Sequence, residues 1–160
     1  MVSKSNESTL RRAAIDYLAR REYSFYELKQ KLRMKFPTFE VESIHNVVSA
    51  LRAENLQSDE RYIESYSRYR KCRGFGYMYI QNALCRQKIE QRKIDQLLVA
   101  DDPEWVEIAV EVVKKKRLGH LYNVIDISER SKITRFMERR GFMPHQIQKA
   151  IDLSIRVDLK

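Results

Sequence analysis

The chain has 160 residues, with 31 Lys and Arg against 22 Asp and Glu, for a formal net charge of +9. A hydrophobic content of 43% and an aromatic content of 10% exclude a disordered chain. Two cysteines exclude a disulfide scaffold, and four glycines and three prolines without long alternating β-branched runs point to an all-α fold.

Residues 1–8 are polar and read as a frayed leader. No apolar run approaches the ~18–20 residues that cross a membrane, so no membrane partner and a cytoplasmic location are expected. The first helix is expected over Thr9–Arg21, with Ile15 and Leu18 on its inner face. Ser24-Phe25-Tyr26-Glu27 has capping-box spacing and opens a second helix, which must end near Phe36-Pro37 because proline pushes its predecessor out of the α region. A third carries Ile44, Val47, Val48 and Leu51 and ends near Asn55.

Ser58-Asp59-Glu60 opens the next helix, which bears Tyr62, Ile63, Tyr66 and Tyr69. It closes in Arg70-Lys71-Cys72-Arg73-Gly74-Phe75-Gly76, a tight cationic turn; the glycines there could equally serve only to cap and start helices. Helices over about Tyr77–Gln87 and Gln91–Val99 follow. Asp102 then caps a helix with Pro103 at its first position, and Trp105 is expected to be a core anchor. That helix ends in Lys114-Lys115-Lys116-Arg117, four cations that suit a helix C-terminus. The stretch from Leu118 to Ile127 is the least regular and reads as a flexible joint. Asp126 has the spacing of a further cap.

The last segment shows the plan most clearly. Ile133, Phe136, Met137 and Arg140 fall at i, i+3, i+4 and i+7, and Gly141 stands where a helix end tolerates positive φ. Phe142 can pack back on that stripe, and Pro144 starts a helix whose inner face is Ile147, Ala150 and Ile151. The same pattern starts at Leu28 and at Ile80. The offsets of 52 and 53 residues between Leu28, Ile80 and Ile133 mark an internal repeat. The expected architecture is therefore three tandem three-helix repeats, 9–57, 58–100 and 101–160, forming an elongated, curved molecule.

Positive charge exceeds negative by three in residues 1–57, four in 58–100 and two in 101–160, so the charge is spread and not held in a tail. Arg20 and Arg21, Arg70, Lys71 and Arg73, Lys114 to Arg117, and Arg139 and Arg140 each sit at or near a helix end. Those eleven residues, Arg20, Arg21, Arg70, Lys71, Arg73, Lys114, Lys115, Lys116, Arg117, Arg139 and Arg140, are the candidate contacts for an extended anionic partner. Catalytic motifs are missing. No phosphate-binding glycine loop, Gly-x-Ser-x-Gly or His-Glu-x-x-His occurs, and His45, His120 and His145 lie far apart. Neither an enzyme nor a cofactor or metal is expected. Two classes remain: a binder of protein or nucleoprotein through a basic surface, and a helix-turn-helix transcription regulator, which would concentrate polar readers on one helix.

Several stretches carry a resemblance. Ala19-Arg20-Arg21-Glu22-Tyr23-Ser24-x-x-Glu27-Leu28-x-x-Lys31-Leu32 resembles the opening motif of the RecX regulators, modulators of the RecA recombinase. Leu56-x-x-Asp59-Glu60-Arg61-Tyr62, Arg73-Gly74-x-Gly76, Trp105-x-x-x-Ala109 and Phe136-Met137-x-x-Arg140-Gly141-Phe142-x-x-x-x-Ile147 resemble the motifs that follow, in the same order. Ser58, Tyr77 and Met143 depart from residues common in that family, at caps and turns and not at basic clusters. The resemblance implies a bacterial, cytoplasmic, non-enzymatic protein. It implies binding in the groove of the RecA–DNA filament and inhibition of the ATPase, strand-exchange and coprotease activities of RecA, and so of DNA repair and the SOS response. Weak, sequence-tolerant contact with single- and double-stranded DNA by a monomer completes the expectation.

Overall fold

Four helices start where a side chain supplies an oxygen for amides that have no partner in the first turn. The computed structural model describes residues 4–117 and 126–157. Those residues form α1 (Lys4–Leu18), α2 (Phe25–Lys35), α3 (Val41–Ala53), α4 (Asp59–Cys72), α5 (Tyr77–Arg86), α6 (Gln91–Leu97), α7 (Glu104–Arg117), α8 (Ile127–Arg139) and α9 (Pro144–Val157). No strand occurs among them, so the all-α class holds. The joint expected from Leu118 lies mostly outside the described residues, as does His120.

The Ser24 hydroxyl accepts from the Glu27 amide at 3.0 Å, and the Ser58 hydroxyl from the Arg61 amide at 3.2 Å. Asp102 accepts from the Glu104 amide at 2.9 Å, and Asp126 from the Glu129 amide at 2.7 Å. The second half of the expected capping box is absent. Glu27 does not return to Ser24; its carboxylate takes two hydrogen bonds from Arg21, at 2.6 and 3.1 Å. A charge-assisted fork is stronger than a bond to a neutral amide, so Arg21 wins the carboxylate.

The chain folds as two compact units, Met1–Ser65 with Leu84–Leu97, and Tyr66–Ala83 with Leu98–Lys160, the divisions falling inside α4 and α5. In the first unit, α1, α2 and α3 pack on one another around Leu10, Leu28, Leu32, Val48 and Leu51, all fully buried. Here α1 departs from expectation in two ways. It reaches back to Lys4, into the expected leader, with Glu7 in the first turn where the dipole favours an acid. Its inner face is Leu10, Ala13 and Ala14, while Ile15 is 40% exposed. The i, i+3, i+4 stripe begins at Leu10, and Ile15 falls off it by more than a quarter turn.

In the second unit, α7 packs most extensively on α9. Its core joins Ala109 and Val113 to Ile133, Met137, Phe142, Ile147, Ala150 and Ile151, so Phe142 does fold back on the α8 stripe. Trp105 is fully buried, donates its indole N–H to the Val99 carbonyl at 2.8 Å and meets Tyr77 edge-on at 6.1 Å.

An ion pair ties α6 to the start of α4 in the first unit. Lys93 Nζ lies 2.7 Å from Glu60. That contact, with the Glu60 amide and Ser58 in support, lowers the Glu60 carboxyl to about 2. A depressed folded-state pKa adds stability above the ordinary carboxyl range, lost as pH falls toward about 2. Carboxyl-carbon NMR titration should find Glu60 still ionised at pH values where most exposed glutamates are protonated, and Lys93→Ala should return it to the ordinary range. An unchanged titration in that variant would assign the shift to another cause.

Candidate cationic groove

Helix α8 has two faces with different work. Ile133 and Met137 face the core. Lys132, Arg135 and Arg139 recur at i, i+3 and i+7 on another face, all exposed. Arg135 donates Nε to the Ser131 carbonyl and Arg139 donates Nε to the Arg135 carbonyl, each at 3.3 Å. These bonds hold the stems along the helix and leave the terminal guanidinium nitrogens without a partner among the described residues.

Facing them across a groove of ≈ 830 Å³ is the end of α7, with Lys116 and Arg117. Among the described residues, six cations line this groove: Lys116, Arg117, Lys132, Arg135, Arg139 and Arg140. Its two carboxylates are already engaged, Asp126 by the α8 amide and Glu129 by Arg117 at 3.9 Å. Six cations against two carboxylates leave the described lining with a net excess of positive charge, the arrangement that draws anions. A second concavity of ≈ 580 Å³ shares Lys116, Phe136 and Arg140 with the first, but Glu104, Glu107 and Glu111 form part of its wall. Its charge is mixed, and the groove beside α8 is the better anion site.

Arg140 joins the two. Its guanidinium lies 5.2 Å from the Phe75 ring and 4.8 Å from the Phe136 ring. It donates to the Arg73 carbonyl at 2.9 Å and the Gly74 carbonyl at 3.1 Å. Beside it, the Gly76 amide donates to the Arg140 carbonyl at 2.7 Å and the Met78 amide to the Gly141 carbonyl at 2.9 Å. The end of α8 thus caps the start of α5. The approach demands glycine on both sides: a Cβ on Gly76 would stand 2.5 Å from the Gly141 oxygen, and one on Gly141 2.3 Å from the Tyr79 nitrogen. Gly141 also has φ +82°, as its place at a helix end requires.

The expected contacts divide accordingly. Lys116, Arg117, Arg139 and Arg140 come together in the groove, and Lys71, Arg73 and Lys115 line the mixed concavity. Lys114 lies in neither and pairs with Glu111 at 3.0 Å. Arg20 and Arg21 belong to the first unit; Arg20 is exposed, and Arg21 sits 3.6 Å above the Tyr23 ring while forking onto Glu27. Arg70 lies within 5.0–5.5 Å of the Tyr66, Tyr69, Phe75 and Tyr79 rings. Lys71 binds Glu104 at 2.6 Å and covers Trp105 at 4.4 Å. Arg73 remains exposed, with Tyr69 at 5.5 Å. Lys132 and Arg135 were not among the expected contacts. Their signal was the i, i+3, i+7 spacing with Arg139, visible once α8 is read by its cations as well as by its apolar stripe.

No family model matches the chain. Individual relatives do. It is 37% identical over 133 residues to the regulatory protein RecX of Pseudomonas putida KT2440, covering 83% of each chain. It is 35% identical over 142 residues to RecX of Pseudomonas fluorescens SBW25, covering 89% of each. The chain belongs to the RecX family. Both relatives are named regulatory proteins. The crystal structure of RecX from Lactobacillus salivarius has the same fold, with TM-score 0.77 at 24% identity over 98% of this chain and 99% of that one. A second RecX crystal structure matches at TM-score 0.77 and 21% identity, covering 91% of this chain and 73% of that one. Among the described residues no helix is long and apolar enough to cross a membrane.

The geometry separates two adjacent arginines. Arg140→Ala removes bonds to two carbonyls and contacts with two rings, and should cost about 2–3 kcal/mol of stability. Arg139→Ala should stay within about 0.5 kcal/mol of the parent. Denaturant unfolding of the two variants checks this, and equal effects would remove the structural role assigned to Arg140.

Proposed function

We propose that this RecX-family chain is a negative regulator of RecA. It binds the RecA–DNA filament in its groove and lowers the ATPase, strand-exchange and coprotease activities of RecA, acting as a monomer without catalysis of its own. The observation that carries this reading is the groove beside α8, where Lys116, Lys132, Arg135 and Arg139 are exposed while Glu129 is paired with Arg117 and Asp126 caps the helix. Such a groove suits a phosphodiester backbone, which presents regularly spaced charge and no required base sequence. Membership of the RecX family supports the choice of RecA–DNA as the polyanion. We also retain three tandem three-helix repeats as the plan of the chain, since α1–α3, α4–α6 and α7–α9 follow the expected segments in order.

Within this reading the basic residues have two jobs. Lys116, Lys132, Arg135 and Arg139 contact phosphate. Arg70, Lys71 and Arg140, held by rings, a carboxylate and carbonyls, shape the surface on which the others stand. Free DNA should bind weakly, in single- and double-stranded form alike, with steep loss of affinity as salt rises.

DNA-dependent ATP hydrolysis by the cognate RecA, measured with and without the protein, tests the function. Addition should lower the rate. Lys132→Glu with Arg135→Glu should weaken that inhibition strongly while leaving the melting temperature near the parent value, because exposed charges contribute only about 0–1 kcal/mol to stability. Replacing Arg135 by Gln should reduce the salt slope of DNA binding by about one. No effect of the protein on ATP hydrolysis would contradict the proposal. Full inhibition by a natively folded double variant would move the contact away from α8.

A further inference from the structure

The first unit holds a concavity of its own, ≈ 390 Å³, that the proposed DNA contact does not use. One wall is a face of α2 with Phe25, Tyr26, Lys29 and Arg33, and another is the turn between α5 and α6 at Lys88. Among the described residues, five cations and two carboxylates line it, but not all of them are available. Asp59 accepts from the Phe25 amide at 2.8 Å and from Gln57 at 3.1 Å, and is paired with Arg52. Lys93 is committed to Glu60. What faces an incoming group is Arg33 and Lys88, with Lys29, whose ammonium already lies 3.1 Å from His45 Nδ1, against Glu90.

Lys88 stands just past the end of α5, where its amide donates to the Cys85 carbonyl at 2.9 Å. It is a non-glycine residue at φ 55°, in the left-handed region where its Cβ is crowded, and its ammonium lies 4.6 Å from the Tyr26 ring. Gly or Asn would meet less strain there but could not place a cation on this wall. Arg33 is exposed and makes no side-chain bond among the described residues.

The lining decides between two classes of anion. A nucleic-acid strand gains affinity by stacking bases on open aromatic faces. Here the ring faces are occupied by the protein's own cations, Phe25 by Arg52 at 4.4 Å and Lys29 at 5.5 Å, Tyr26 by Lys88, as Phe136 is beside α8, so base stacking favours neither site. The concavity also has an aliphatic edge, with Val41 52% exposed above buried Ile44. It offers less than half the volume of the groove beside α8 and adds apolar surface that a phosphate backbone cannot use.

We propose that this concavity binds an acidic peptide segment of a partner protein, its carboxylates on Lys29, Arg33 and Lys88 and an apolar side chain against Val41. The proposal deepens the reading above and rests on it for one point, the division of labour in which the second unit takes DNA phosphates and the first takes protein.

The test uses a fluorescein-labelled synthetic peptide of Asp and Glu around two Leu residues, a control with every acid changed to Gln or Asn, and a dA oligonucleotide, all read by anisotropy with the full chain. The acidic peptide should bind and the amide control should not. Arg33→Glu with Lys88→Asn should weaken the peptide by about tenfold or more and leave the oligonucleotide unchanged. Asn suits the left-handed position, and Arg33→Glu alone, on an exposed helix face, is the second variant should the pair fold poorly. Lys132→Glu with Arg135→Glu should do the reverse. Displacement of the peptide by the oligonucleotide, equal binding of the amide control, or peptide binding indifferent to Arg33→Glu would each overturn the proposal. RecA takes no part in this measurement, so its failure leaves inhibition of RecA standing, and failure of inhibition leaves the peptide site standing.

Discussion

The second unit depends on one junction, where the last carbonyls of α8 receive the first amides of α5. Two backbone hydrogen bonds, Gly76 to Arg140 and Met78 to Gly141, supply partners for groups that a helix cannot satisfy within itself. A buried amide left without a partner costs about 1–3 kcal/mol, so the two helix ends stabilise each other. The negative end of one helix also meets the positive end of the other. Neither bond would form with side chains at Gly76 and Gly141, because the Cβ positions lie well inside contact distance of the opposing backbone. Arg140 completes the junction by bonding two carbonyls of the preceding turn between two phenyl rings.

This junction sorts the charge. A net +9 suggests a uniformly sticky surface, yet many of the cations have work inside the protein. Arg70 is ringed by four aromatic side chains, Lys71 bridges Glu104 and Trp105, and Arg21 closes on Glu27 and Tyr23. Among the cations left to meet a partner, Lys116, Lys132, Arg135 and Arg139 share one groove beside α8. Cation–π contact and carboxylate pairing thus divide the basic residues into those with work inside the protein and those facing outward.

Local rules made much of the fold legible. Ser24, Asp102 and Asp126 cap as their spacing predicts, Pro144 opens its helix, and Gly141 takes the positive φ of a helix end. Each depends on a few neighbouring residues. What the sequence left open depends on residues far apart in it. Arg140 lies 66 residues from Gly74, and no periodicity links them. Ile15 looked like core because it is apolar, but the face of α1 was set by Leu10, Ala13 and Ala14. The capping box at Ser24 lost its second half to Arg21, a competitor outside the motif. The basic clusters were visible as charge, but their division into structural and exposed members needed the rings and carboxylates that tertiary packing brings to them. Lys132 and Arg135 were hidden by the apolar stripe on the same helix. The motifs quoted for RecX were legible because they are ordered along the chain, and the relatives at 35–37% identity bear out that family.

The central physical claim is that α8 caps α5, and native-state hydrogen exchange of the Gly76 and Met78 amides tests it most directly. Both amides precede or open α5, where amides without such acceptors exchange as freely as those of a loop. The junction predicts protection comparable to the buried amides of α7 and α9, lost at both positions together in Arg140→Ala. Exchange at loop rates in the parent protein would contradict the junction and, with it, the shaping of the cationic groove.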